Sequence, residues 1–411
     1  MELRYGKSCL NVNIPEKNLM GVVKPRELPK LGDKKAAILK ALRDPIGSKR
    51  LCEMVESGDK VVIIASDITR PSPSSKLLPP LLDELNSGGV SDEDIIVIFA
   101  LGIHRGHTVE EQKKLVGDDV YNRVRCIDHD VNNCVTVGKT EKGDPIEIFK
   151  EVADADVIVC TGNIEYHYYA GYSGGAKAIL PGVSSRQFIQ SNHKMMILQD
   201  AYAGNIDSPV RREMDELGMI VGIDFILNVI LNIKKEFVGV VAGHPIDAHR
   251  VGTKLVDEMY KIPVKRADIV ITCAGGDPKD INLYQAQKAL ANGKHAVKEG
   301  GSIILVARCQ EGYGDVVFER WVNEADTSKD LIERVKNDFE LGGHNAAAIA
   351  LVMEKADVYL VSDMDDEIVK NAFLIPKKSL QDALSDALNK HGADATVLVM
   401  LYGGSTLPSA D

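Results

Sequence analysis

Val61-Val62-Ile63-Ile64-Ala65-Ser66-Asp67-Ile68-Thr69-Arg70-Pro71 is the stretch that decides how this chain folds. It opens on an unbroken apolar run and closes on polar, turn-forming residues. A short apolar run without alternation predicts a strand buried on both faces, as in a parallel sheet covered by helices. Runs of the same kind recur at 95–99, 157–159, 269–272, 302–306, 358–361 and 396–400. Three are entered through an Ala-Asp pair: Ala155-Asp156, Ala267-Asp268 and Ala356-Asp357. The segments 75–87 and 279–299 between such runs read as helices. Strand and helix in alternation predict an α/β architecture with helices on both sheet faces.

A chain of 411 residues exceeds what one hydrophobic core usually organises, so two domains are expected. The break is placed at Lys261-Ile262-Pro263-Val264-Lys265, after a long helical segment and before a fresh strand. Residues 1–263 would form an N-terminal domain and 266–411 a C-terminal one, with the extreme C-terminus returning to the first. Each would be built on a mostly parallel sheet flanked by helices, with the active site in the cleft between them. A composition 45% hydrophobic and 27% charged is that of a soluble globular protein. No apolar run is long enough to span a membrane, and the opening residues carry no signal-peptide core. The net charge of −11 argues against broad nucleic-acid binding, so anions must be held by local basic groups. Seven scattered cysteines lack the paired spacing of a zinc or thioredoxin site, and reduced thiols fit the cytoplasm. Cys160 and Cys273 read as small buried hydrophobes.

Ligands of open α/β sheets bind beyond the carboxyl ends of the strands. The first run delivers Asp67 and Arg70 to that rim. The second ends in Leu101-Gly102-Ile103-His104-Arg105-Gly106-His107-Thr108, and the third leads through Gly162-Asn163 to His167. Three strands thus point polar side chains at one edge. Asp67 reads equally as a helix N-cap ahead of Pro71 or as a functional carboxylate. Arg70 after a buried strand favours an anion clamp over a surface arginine. His104, closer to its strand end than His107, is the better acid/base candidate. His129, His244, His249, His295, His344 and His391 lack such context and read as surface or structural. The tyrosines 166, 168, 169 and 172 read as packing.

Between these lies Gly171-Tyr172-Ser173-Gly174-Gly175-Ala176-Lys177, which resembles a phosphate cradle in composition. It departs from the P-loop pattern, because Ala178 stands where a hydroxyl residue would hold magnesium, and it lacks the dinucleotide fingerprint. Ser184-Ser185 then opens a helix that carries His193. A glycine-rich loop, a lysine and two imidazoles within about thirty residues point to a bound ligand.

At these residues the sequence resembles the nickel-dependent lactate racemase family. Asp67-x-Thr-Arg-Pro71, Gly102-x-His-Arg105, His167-x-x-Ala-Gly-Tyr-Ser-Gly-Gly-x-Lys177, Leu180-Pro-Gly182 and His193 look like its motifs. So do the spacings of ten residues from His167 to Lys177 and sixteen from Lys177 to His193. In the second domain Gly275-Gly276-Asp277-Pro278-x-Asp280-x-Asn282-x-Tyr284-Gln285-Ala286-x-Lys288 also resembles it. The sequence departs at His107, where the family pattern carries a small or hydroxyl-bearing residue.

The resemblance implies a nickel pincer nucleotide, a pyridinium mononucleotide that binds nickel through two sulfurs and a ring carbon. It implies that Lys177 holds this cofactor, with Ser173, Gly174 and Gly175 around it, and that His193 ligates nickel. Asp67 would orient a catalytic histidine or contact the nucleotide. His104 and His167 would be paired acid/base residues, and Arg70, Tyr284, Gln285 and Lys288 would contact the substrate. It further implies cofactor-synthesis enzymes as maturation partners and a small 2-hydroxy acid as substrate: lactate, malate, a longer acid or a sugar acid.

The chemistry is coherent with that expectation. Inverting C2 of a 2-hydroxy acid means breaking a weakly acidic C–H bond. Removing hydride is easier when a base takes the hydroxyl proton, and a planar keto acid then needs a second acid/base group on its other face. Imidazole titrates near neutrality and serves both directions. A soft, imidazole-containing donor set suits nickel. The competing expectations are a non-catalytic sugar-acid or nucleotide binder, which has no need of two bases, and an NAD-linked dehydrogenase, which would carry the missing fingerprint.

Overall fold

The computed structural model describes residues 1–140 and 143–410. The chain divides into two units, one formed by Glu27–Met195 with Asn205–Met259, the other by Met1–Arg26, Met196–Gly204 and everything from Tyr260 onward.

The first unit is built on a six-stranded sheet. Its order is Phe237–Gly243, Phe225–Leu231, Val157–Ile164, Val61–Ser66, Ile95–Ala100, Arg125–Asp128. All neighbours are parallel except the first pair. The expected apolar runs are its central strands, and Val157–Ile164 is buried at every position. Helix Ser74–Ser87 covers one face with Leu77, Leu78, Leu81, Leu82 and Leu85, all fully buried. Each such leucine contributes about 1.5–3 kcal/mol of apolar transfer. The strand Phe225–Leu231 escaped the sequence reading, because Asn228 interrupts its apolar run.

The second unit has its own six-stranded sheet, ordered Ile375–Lys377, Ala356–Val361, Val297–Val306, Ala267–Cys273, Val397–Met400, Leu19–Val23, parallel throughout. The Ala-Asp pairs earn their place at strand entrances. Asp268 accepts from the Thr396 amide and hydroxyl, and Asp156 accepts from the Lys60 amide, so each carboxylate ties two neighbouring strands together.

Two expectations are corrected here. Where the sequence reading places residues 1–263 together, Leu19–Val23 pairs in parallel with Val397–Met400, so Met1–Arg26 belongs with the C-terminal sheet. The C-terminal strand Leu407–Ala410 pairs with Lys261–Val264 in that same unit. Nothing local marks an apolar strand as belonging to a sheet assembled nearly four hundred residues later. The helix expected over 279–299 is shorter, Leu283–Gly293. Asn282 caps its start by accepting from the Gln285 amide, and Val297 already belongs to a strand.

Candidate functional site

Three adjacent parallel strands of the first unit release their chains at one edge. After Val61–Ser66 the backbone turns, with the Arg70 amide donating to Asp67 O at 3.1 Å. The following helix starts at Ser74 with Pro73 in the cap position, so Asp67 is not its N-cap. The Asp67 carboxylate instead accepts from the Thr69 hydroxyl at 2.8 and 3.0 Å and from His104 Nδ1 at 2.8 Å. Arg70 Nε lies 3.7 Å from it. Burial alone would push this carboxyl up. The His104 hydrogen bond and the Arg70 charge outweigh burial and hold it below the usual carboxylate range. An ionised Asp67 can only accept, so His104 carries a proton on Nδ1, and in the neutral ring the remaining lone pair is on Nε2.

His104 follows Ile95–Ala100 through Gly102, whose φ of +56° suits glycine and whose amide donates to Gly182 O at 2.8 Å. The two loops are therefore stitched together. Arg105, although part of the same motif, turns outward to Glu111, at 2.7 and 2.8 Å.

Val157–Ile164 runs into a short hairpin, Tyr166–His167 with Gly171–Tyr172. Gly171 has a φ of +72°, and a Cβ there would meet Asn205 O at 2.0 Å, so only glycine fits. The Ala170 amide donates to His167 Nδ1 at 3.4 Å. Tyr169 lies edge-on to both His167 and His193, with centroids 4.6 and 5.2 Å away. The tyrosine thus bridges two of the expected site residues, while Tyr166 and Tyr172 share Asp257 through their hydroxyls. His193 is buried near the end of helix Arg186–Lys194, which Ser185 caps by accepting from the Phe188 amide.

The glycine-rich loop is held from beneath. Ser173 Oγ donates to Asn163 O and accepts from the Glu165 amide, both at 2.9 Å. The Gly175 amide donates to Asn228 Oδ1 at 2.8 Å. Arg211, fully buried and 2.8 Å from Asp215, donates to the Tyr172 and Gly174 carbonyls. His249 Nε2 donates to Ser173 O at 2.8 Å. The Ser173 hydroxyl and Gly175 amide are thus engaged with the protein itself. Asn228, Arg211, Asp215 and His249 are the functional supports that sequence reasoning missed. Only the Arg211-x-x-x-Asp215 spacing, which pairs opposite charges on one helix face, hinted at any of them.

This scaffold presents Lys177 on the one-turn helix Gly175–Ala178. Burial, then the Arg70 and Arg211 charges, bring its amine down to about 7, against the opposing pull of Asp67 and Glu165. A lysine held there is in good part a neutral nucleophile at neutral pH. Asp67, Arg70, His104 and Lys177 thus form one electrostatically coupled group, and His167 and His193 a second joined through Tyr169.

Tyr284, Gln285 and Lys288 lie on helix Leu283–Gly293 of the second unit, where Lys288 Nζ donates to Gln285 Oε1 at 2.8 Å. Asp280 of the same motif is fully buried. It clasps the Gly6 amide at 2.7 Å and the Arg308 amide at 3.2 Å, which is a structural duty. Among the described residues, no group of three or more His, Cys, Asp or Glu side chains is arranged to hold a metal, and no helix is long and apolar enough to cross a membrane.

Comparison with known proteins covers nearly the whole chain. Residues 5–204 match the family model described as the lactate racemase N-terminal domain, and residues 262–407 match that of the lactate racemase C-terminal domain. The chain is 35% identical over 420 residues to the lactate racemase of Thermoanaerobacterium thermosaccharolyticum, spanning 99% of this chain and 98% of the relative. It is 32% identical over 417 residues to that of Lactiplantibacillus plantarum, spanning 98% of each. The structure of the T. thermosaccharolyticum lactate racemase apoprotein matches with a TM-score of 0.90, covering 100% of this chain and 99% of that one. A Thermotoga maritima protein at 19% identity and a TM-score of 0.63 shares the fold.

Proposed function

The chain belongs to the lactate racemase family and is an isomerase, and from that premise we propose that it interconverts the C2 stereoisomers of a 2-hydroxy acid, lactate first, using a nickel pincer nucleotide. The observation that carries the cofactor assignment is the Lys177 amine, brought down to about 7 on a loop pinned from below. An amine in that state fits attachment to, or close pairing with, an acidic organic cofactor. The donor set fits as well: the buried His193 offers one imidazole, which suits a metal carried by a cofactor rather than one chelated by the protein.

When bound, such a cofactor supplies a carbon that takes hydride from C2 and returns it. The protein's part is binding and proton transfer. Lys177 would hold the cofactor and His193 its nickel, and the Arg70 guanidinium would clamp the substrate carboxylate. His104, whose Nδ1 donates to Asp67, would in its neutral form take the substrate hydroxyl proton on Nε2. His167 would return a proton to the carbonyl oxygen when the opposite stereoisomer forms, and the two exchange roles in the reverse direction. Tyr284, Gln285 and Lys288 are proposed as further substrate contacts, on the likeness of their motif. The reading also carries maturation by cofactor-synthesis enzymes and a cytoplasmic setting, which seven free cysteines support.

The test is co-expression with cofactor-synthesis enzymes, followed by intact mass, nickel content and racemisation of single enantiomers of lactate, malate and longer 2-hydroxy acids. About one nickel per chain and racemisation of at least one acid are expected. His193→Ala should stay folded and lose nickel; full occupancy in that variant removes His193 from the site. A fully loaded chain that racemises none of the acids overturns the reading.

A further inference from the structure

We propose that His107 is a positioning residue that fixes the 67–70 turn through the Ile68 amide, and so sets the proton state and placement of His104. The proposal rests on the reading of His104 as an acid/base group.

The geometry repeats one module twice on a single loop. His104 Nδ1 faces Asp67 at 2.8 Å, and His107 Nδ1 faces Asp128 at 2.7 Å. The two differ in what their Nε2 atoms meet. The His104 side chain is 39% exposed, whereas that of His107 is 1% exposed. His107 Nε2 accepts from the Ile68 amide at 3.1 Å. A main-chain N–H donates only to a lone pair, so Nε2 is unprotonated and the ring proton sits on Nδ1, donated to Asp128. Both nitrogens are therefore committed, and His107 has no lone pair to offer a substrate.

Asp128 is itself held in place. Its Oδ2 accepts from the His107 amide at 2.6 Å, and its Oδ1 from Gln112 Nε2 at 3.2 Å. Phe99, register partner of Asp128, packs edge-on to the His107 ring with centroids 5.2 Å apart. A relay thus runs from Asp128 through His107 to the Ile68 amide, then along the backbone to Asp67 and across to His104. It ties together the ends of three neighbouring strands, Arg125–Asp128, Ile95–Ala100 and Val61–Ser66. The main-chain link matters because Asp67 and Arg70 flank Ile68 on the same turn. Releasing that amide frees the carboxylate that fixes the His104 proton and the guanidinium beside it.

The relay is testable on the cofactor-free chain. His107→Asn keeps a donor toward Asp128 but lacks an acceptor that reaches Ile68, whereas His107→Gln places a side-chain oxygen near the former Nε2. In His107→Asn, Ile68 amide exchange should accelerate about five- to tenfold, the value of one lost hydrogen bond. The His104 ring nitrogen shifts should move from a single Nδ1–H form to a mixture, and kcat/KM of the loaded enzyme should fall about ten- to a hundredfold. His107→Gln should restore all three to within about threefold of the parent. If His107→Asn fails to fold, Asp128→Asn reports instead. Its amide turns a donor toward the ring, moves the ring proton to Nε2 and sets it against the Ile68 amide, with the same expected readouts.

Unchanged Ile68 exchange and an unchanged His104 proton position in a folded variant overturn the proposal, as does a His107→Gln variant no better than His107→Asn. A His104→Ala enzyme that racemises at the parent rate would instead sink the acid/base reading. The exchange and ring-shift data would still decide whether the relay exists.

Discussion

Lys177 offers the sharpest test of the site. An ordinary lysine titrates at 10.5, so at pH 7 only about one amine in three thousand is neutral. Burial together with Arg70 and Arg211 brings Lys177 to about 7, where about half is neutral. At equal access, its reaction with a small amine-directed acylating reagent at pH 7 should outpace that of an exposed lysine by about a hundred- to a thousandfold. The assay is pulse labelling of the cofactor-free chain across pH 5.5–11, with the Lys177 peptide read by mass spectrometry against a surface lysine peptide. Labelling of Lys177 should rise with a midpoint near 7. Arg70→Ala removes one of the charges that lower the amine, so the midpoint should move up. A midpoint at or above 10, or a downward shift in Arg70→Ala, would refute the electrostatic argument and with it the case for Lys177 as a nucleophile. The same shift has a stability consequence. The folded amine releases its proton near 7 and the unfolded amine near 10.5, so between these values the unfolded chain binds more protons. Lys177 therefore makes stability rise with pH across that window, and Lys177→Met should flatten that part of a denaturation–pH profile.

Other outcomes follow from the same geometry. Asp215→Ala leaves the fully buried Arg211 short of its 2.8 Å partner and should cost about 3 kcal/mol or more in chemical denaturation; a loss under about 1 kcal/mol would mean Arg250 and the carbonyls do not need Asp215. Gly171→Ala forces a Cβ to 2.0 Å from Asn205 O at a positive φ, so the hairpin carrying His167 should be displaced and activity lost, visible as changed His167 ring shifts. His104→Ala and His167→Ala should each lose racemisation in both directions, by about 10²–10⁴ in rate, while 2-deuterated substrate still yields enzyme-bound keto acid from one enantiomer in each variant. If both variants consume the same enantiomer, the two histidines do not serve opposite faces.

The sequence by itself determined seven of the twelve strands of the two large sheets, and the rim. Seven apolar runs needed no context to become strands, because a run buried on both faces is stable only inside a covered sheet. Asp67, His104 and His167 could be assigned to one edge, since parallel strands release their chains on the same side. Tertiary structure decided what each polar group does there. Asp67 might equally have capped a helix on sequence grounds; only the fold brings His104 to 2.8 Å and leaves the cap position to Pro73. Asn228 interrupts the apolar run of Phe225–Leu231, and it is the group that receives the Gly175 amide. Arg211 and His249 both hold the glycine-rich loop through its carbonyls, and Arg211 also helps to set the charge of Lys177. The place of Leu19–Val23 beside Val397–Met400 was equally out of reach. Local pattern reports whether a side chain is buried, through periodicity, but the partner of a buried polar group or of an edge strand comes from elsewhere in the chain. That partner is fixed by hydrogen bonding and packing only once the whole sheet has closed.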